Sequence, residues 1–184
     1  MSRIIIPIPC HFKDRNTLCA TTLLRLQAAE ALSRTDELFL VGGDVPQSKG
    51  GPTLGELVRY WLLHRGVAEH SIQLTRNVYG TFSEARAACG QAAQLHASEL
   101  VGVSSSWYLF AGTPIWKIRA KEQGLSIAFV AVPHTGGLRS WGLYLLIGIM
   151  VRFALLLRME AHLESFFTNT QRTRVEGFTL DGCA

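Results

Sequence analysis

Two short stretches, TLGE and TFSE, each set a threonine three residues ahead of a glutamate at the mouth of a helical pattern: Thr53 with Glu56, and Thr81 with Glu84. That is the spacing of a capping box, in which the threonine hydroxyl accepts the glutamate's amide N–H and the carboxylate accepts the threonine's. A carboxylate held there keeps a second oxygen. It can hydrogen-bond a sugar hydroxyl or an amine, or take a proton as a general base. Ser83 adds a hydroxyl at the second helix start. Helix N-termini also present amide N–H groups and partial positive charge, which suit an anionic or carbonyl-bearing ligand. Glu84 and Glu56 are the expected catalytic carboxylates, with Thr81 and Ser83 as ligand-binding hydroxyls. The alternative for each pair is a helix cap and nothing more.

Other polar residues follow apolar runs. Cys10 and His11 follow RIIIPI, and Gly42, Gly43 and Asp44 follow ELFLV. Glycines at such positions let backbone approach a ligand closely or take positive φ. Ser104, Ser105 and Ser106 end the run VGVSSS, a near miss for the G-x-S-x-G nucleophile elbow with Ser106 where the second glycine belongs. The elbow needs an acid between serine and histidine. The one acid between Ser106 and His134 is Glu122, inside a helical pattern, so hydroxyls for phosphate or sugar oxygens are the better reading. His134 is a candidate rim residue. Cys10 is either a nucleophile or a small buried thiol. There is no H-E-x-x-H, no Walker loop and no G-x-G-x-x-G. No metal site is expected, and the identity of any cofactor is left open.

These residues need a scaffold. Five apolar, β-branched runs (3–8, 37–41, 71–75, 99–104 and 126–132) alternate with helical patterns, which implies right-handed βαβ crossovers and a mostly parallel sheet of about five strands covered on both faces. In open sheets of that kind ligands sit beyond the carboxyl ends of the strands, where the residues above fall. Gly66 is placed to close the second helix. The chain of 184 residues, 48% hydrophobic and 17% charged, reads as one α/β domain over 1–170 with a polar tail over 171–184. A net charge of +4 without a Lys/Arg stripe argues against nucleic acid. Cys10, Cys19, Cys89 and Cys183 contain no C-x-x-C pair, which points to thiols in a reducing compartment. The first ten residues are too short an apolar run, and too broken by proline, for a signal peptide. The expected location is the cytoplasm.

From Trp141 to Phe167 the chain is apolar on nearly every face, with Arg152 inside. A central arginine costs about 2.5–3.5 kcal/mol on membrane insertion scales. A long apolar C-terminal helix buried on the sheet or in a homo-dimer is the first reading, contact with the inner membrane face the second, and a true membrane span the third.

Taken in order, LVGGD (40–44), GELVRYWLLHRGVAEHSI (55–72), YGTFSEA (79–85) and VSSSWYL (103–109) resemble the YdcF-like family, known also through SanA and ElyC. The resemblance covers residues 3–135. It implies a Rossmann-like three-layer sandwich with a polar crevice at the strand ends, a nucleotide-type ligand, and a link to cell-envelope or polysaccharide metabolism. Arg25 resembles the family's arginine in the first helix. Where relatives carry Thr-Ser-x-Tyr-His, this chain has Ser104-Ser105-Ser106-Trp107-Tyr108, so Tyr108 replaces the histidine with a phenol. Two functions follow as expectations. One is an enzyme on a small polar or anionic metabolite, nucleotide-like, phosphorylated or sugar. The other is a non-catalytic ligand-sensing module that associates through its C-terminal helix.

Overall fold

Ile4, Ile5 and Ile6 are all buried, the mark of a strand packed on both faces. They belong to β1 (Ser2–Pro7). The structure, a computed structural model, describes residues 2–10, 12–14, 17–35, 37–43, 51–76, 78, 80–134, 138–159, 161–162 and 165. The expected site residues His11 and Asp44, and the polar tail 171–184, lie outside the described residues. After β1 comes a small antiparallel pair, β2 (Phe12–Asp14) and β3 (Thr17–Leu18). Then follow α1 (Ala20–Leu32), β4 (Leu38–Val41), α2 (Leu54–His64), β5 (Ile72–Leu74), α3 (Thr81–Gln94), β6 (Ala97–Ser105), α4 (Ser106–Glu122), β7 (Ser126–Val132) and α5 (Leu138–Leu156).

The main sheet runs β5-β4-β1-β6-β7, and every pairing in it is parallel. Numbered by their order in the chain, the five strands read 3-2-1-4-5. That is the Rossmann-type order, with its switch point between β1 and β6. Alternation along each strand sends side chains to two separate cores. Ile4, Ile6, Ile8, Leu40 and Leu100 pack with Phe82, Ala85 and Ala88 of α3 and Ile115 and Trp116 of α4. Ile5, Phe39, Val41, Val101 and Val103 pack with Leu26 and Ala29 of α1 and Val58 and Leu62 of α2. Val151 of α5 joins the first core. The chain is therefore an α/β fold with helices on both faces of a parallel sheet.

Two details differ from the sequence expectation. The β2–β3 pair falls outside the five expected strand runs, and α1 starts only after it, at Ala20. The apolar run expected as one helix over 141–167 is interrupted: α5 ends at Leu156, and helical backbone recurs at residues 161–162 and 165. At the end of α5 Arg158 takes φ +56°, Met159 N–H donates to Ala154 O at 2.7 Å and Arg158 N–H to Leu155 O at 3.2 Å, closing the helix in a Schellman arrangement. Gly66, with φ +85°, closes α2 in the same way, as its position suggested. No described helix is long and apolar enough to cross a membrane. The outward face of α5 is apolar: Leu143, Leu146, Ile149, Phe153, Leu156 and the adjoining Leu157 are each more than half exposed. Arg152 lies back along its own helix, donating to Gly148 O at 3.0 Å with its guanidinium 4.1 Å from the Phe110 ring.

Gly102 shows how closely the sheet is filled. It pairs with Phe129 across β6 and β7, and a Cβ at Gly102 would lie 2.7 Å from that ring. Gly102→Ala is expected to cost about 1–3 kcal/mol through overpacking, read as a lower urea midpoint at unchanged slope.

Candidate functional site

The inner face of α1 is not wholly apolar. Thr21, Thr22, Arg25, Leu26 and Ala29 recur at helical spacing and are all buried, Arg25 to 1% exposure. The Arg25 guanidinium spans the switch point of the sheet. Its Nη1 donates to Ile8 O just past β1, and its Nη2 to Ser105 Oγ at the end of β6, each at 2.7 Å. Ser105 is the N-cap residue of α4, but its side chain makes no capping bond. Its hydroxyl accepts from Arg25. Beside it, Thr22 Oγ1 accepts the Cys10 amide at 3.0 Å and lies 3.4 Å from Cys19 Sγ. Cys89, buried in the core under α3, has its thiol pushed up to about 12 by burial, which leaves it an inert packing residue.

At the start of α3 the expected capping box between Thr81 and Glu84 is not formed. The N-cap is Gly80, in extended backbone, and the Glu84 amide donates to Gly80 O at 2.8 Å as an ordinary helical bond. Ser83 caps instead: its Oγ accepts the Gly80 amide at 3.1 Å and donates to Gly80 O at 2.9 Å. With the frame one residue earlier, the Glu84 side chain is released from the helix end and turns inward, to 7% exposure. It fits because residue 42 is glycine. A Cβ there would stand 2.8 Å from Glu84 Oε1 and 3.1 Å from its Cγ. Gly43 takes φ +112°, and its carbonyl accepts the Gly55 amide at 2.9 Å, docking α2 on the end of β4.

The other pair behaves as a cap. The Thr53 amide donates to Glu56 Oε2 at 2.7 Å, and the Glu56 amide to Thr53 Oγ1 at 3.2 Å. Those Thr53 hydrogen bonds hold the Glu56 carboxyl below the usual range. Glu56 is thus an ionised capping carboxylate, and no described contact brings it to Arg25 or Glu84. Glu84 is the reverse. Burial pushes its carboxyl up to about 8, outweighing the opposing pull of Arg25. At neutral pH it holds a proton.

Aromatic groups close the cluster. The Tyr108 ring lies 5.5 Å from the Arg25 guanidinium, and its hydroxyl accepts from Trp116 Nε1 at 3.3 Å. Burial first, and second the charge that Glu84 acquires once it ionises at higher pH, push the Tyr108 phenol up, so it is a neutral donor. Gly112 makes space for that ring, since a Cβ there would meet it at 2.7 Å. His134, two residues past β7, packs at a 42° tilt against Trp107, ring centres 4.5 Å apart, and meets Tyr144 of α5 edge-on at 5.8 Å. Burial and the charge of Arg25 lower the His134 pKa, favouring neutral imidazole. Tyr144 is pushed up by burial and by the nearby Cys10 thiol.

Five buried side-chain polar atoms among the described residues have no hydrogen-bond partner: Arg25 Nε, Thr75 Oγ1, Glu84 Oε1, Ser104 Oγ and His134 Nδ1. All five belong to the carboxyl edge of the sheet. Thr75 follows β5, Glu84 opens α3, Ser104 ends β6, His134 follows β7, and Arg25 bridges the ends of β1 and β6. Orphaned buried polar atoms are scarce in folded proteins, and a set gathered at one edge marks a place for ordered water or a ligand. Of the expected residues, Arg25, Gly42, Glu84, Ser105 and Tyr108 come together in one contact network, with Ser104, His134 and Cys10 at the same edge. Ser106 is exposed, and Ser83 is taken up by the cap. Sequence reasoning missed Thr75, Trp107 and Tyr144. The last residue of SIQLT was the available signal for Thr75. No family model, curated protein or solved structure matches the chain. The site has to be read from its own geometry.

Glu84 also sets a pH dependence. Its folded pKa is raised above the unfolded one, so its contribution is complete below about pH 4.5 and is lost as pH rises to about 8. The whole effect is of the order of 5 kcal/mol. Glu84→Gln, which keeps the shape of the protonated acid, is expected to melt near the parent protein at pH 5 and clearly above it at pH 9. Thermal melts across that range check this.

Proposed function

We propose that the chain binds a small polar metabolite, nucleotide-like, phosphorylated or sugar, in the crevice beyond the carboxyl ends of β1 and β6, and that Glu84 is the group there that carries a proton. The observation that carries the reading is a set of five orphaned buried polar atoms along the carboxyl edge of a Rossmann-ordered sheet, with Arg25 Nε among them at the switch point. A charged guanidinium, a carboxyl that titrates near neutrality and a phenol that stays protonated are a set able to orient a ligand and to give or take a proton. The ordered motifs that resemble YdcF-like proteins support the same place for the site and extend the proposal to cell-envelope or polysaccharide metabolism.

One observation favours a second form of this reading. Tyr144 joins the aromatic cover of the site to α5, whose other face is exposed and apolar. A sensing module would use that helix to report whether the site is filled. Turnover separates the two forms, since Glu84→Gln abolishes product formation in an enzyme and leaves ligand binding in place in both.

A thermal-shift screen against nucleotides, nucleotide-sugars, S-adenosylmethionine, isoprenoid phosphates and neutral sugars tests the proposal. A ligand at a hundred times its Kd adds about 2.7 kcal/mol, a shift of a few degrees for a domain of this size. That shift is expected to vanish in Ser104→Ala and Glu84→Ala. A ligand that stabilises both variants as well as the parent binds elsewhere and overturns the proposed site.

A further inference from the structure

The orphaned atoms have a chemical bias. Arg25 Nε–H can only donate. Thr75 and Ser104 bring hydroxyls that donate readily, and Glu84, holding its proton, offers an O–H. Neutral His134 offers an N–H at Nδ1 in one of its two tautomers. The edge is therefore rich in donors.

Its charge is biased in the same direction. Arg25 is 1% exposed, and among the described residues no carboxylate forms an ion pair with it. Its two side-chain bonds go to neutral oxygens, Ile8 O and Ser105 Oγ. A guanidinium out of water without a counter-ion is costly. A neutral sugar or nucleoside would satisfy the donors and leave that charge unbalanced, and an amine would add to it.

We infer that the group this site takes is an oxyanion, a phosphate or a carboxylate, which becomes the counter-ion of Arg25. The inference rests on the ligand-site reading above. Its consequence is a linkage between proton and ligand. Ionised Glu84 repels the oxyanion and competes for Arg25, so affinity falls as Glu84 loses its proton.

Sulfate is the first probe, because its charge is constant from pH 6 to 9. Isothermal titration of the whole protein is run with sulfate, with a nucleoside monophosphate and with acetate, beside the parent nucleoside and glucose. Sulfate affinity is expected to fall about tenfold between pH 7 and pH 9, the range over which a carboxyl with a pKa near 8 goes from nine-tenths to one-tenth protonated. Glu84→Gln is expected to bind sulfate with no such dependence, and Arg25→Met to lose sulfate binding. If Arg25→Met does not fold, the flat pH profile of Glu84→Gln still decides the matter. A pH slope that persists in Glu84→Gln overturns the inference and assigns the sulfate to a surface site. Nucleoside or glucose binding that is lost in Ser104→Ala, with no oxyanion binding, overturns the oxyanion and leaves the site standing. No binding by any probe overturns both.

Discussion

A guanidinium enclosed at the switch point of a parallel sheet is the constraint from which the rest of this structure follows. Arg25 ties the end of β1 to the end of β6 through Ile8 O and Ser105 Oγ, at the place where strand order reverses and the sheet opens. In Rossmann-ordered sheets that opening is where ligands lie. Here a fixed positive charge stands in it, covered by Tyr108. The neighbouring groups answer to that charge and to the dryness around it: His134 is biased toward its neutral form, the Tyr108 phenol keeps its proton, and Glu84 is caught between burial and the pull of Arg25. Burial wins at Glu84.

Small local choices make the arrangement possible. Gly80 and Ser83 together start α3 one residue earlier than a Thr-x-x-Glu box would, and that offset turns Glu84 from the helix end into the sheet edge. Gly42 then leaves the volume that the carboxyl fills. A methyl group at residue 42, or a cap made by Glu84, would each remove the acid from the cluster. At α2 the capping box does form, and Glu56 becomes an ordinary ionised cap. Two stretches with the same Thr-x-x-Glu signature thus have opposite fates, decided by what precedes them.

Much of the fold was legible in the sequence. The five apolar runs and the helical patterns between them lie where the strands and helices stand, because burial on both faces of a parallel strand demands continuous Ile, Val and Leu. The small β2–β3 pair and the stop of α5 at Leu156 were not legible. The first uses only five residues, and the second places a non-glycine residue, Arg158, in left-handed backbone. At the site, strand-end residues such as Gly42, Ser104 and Ser105 were readable from position alone. The role of Glu84 was readable only in part, since a glycine cap carries no side-chain signature. Arg25 had a signal in Thr21, Thr22, Arg25, Leu26 and Ala29, a buried helix stripe with one charge in it. Tyr144 was hidden inside an apolar run whose exposed residues dominate its pattern.

The most direct measurement is the titration of the Glu84 side-chain carboxyl carbon by NMR in the protein without ligand. A carboxyl that holds its proton through pH 7 and titrates near 8 is the expected result, leaving Arg25 without an ionised partner among the described residues. A carboxyl already ionised at pH 6 would contradict it. Arg25 and Glu84 would then be each other's ion pair, and the carboxyl edge of the sheet would be a closed structural cluster.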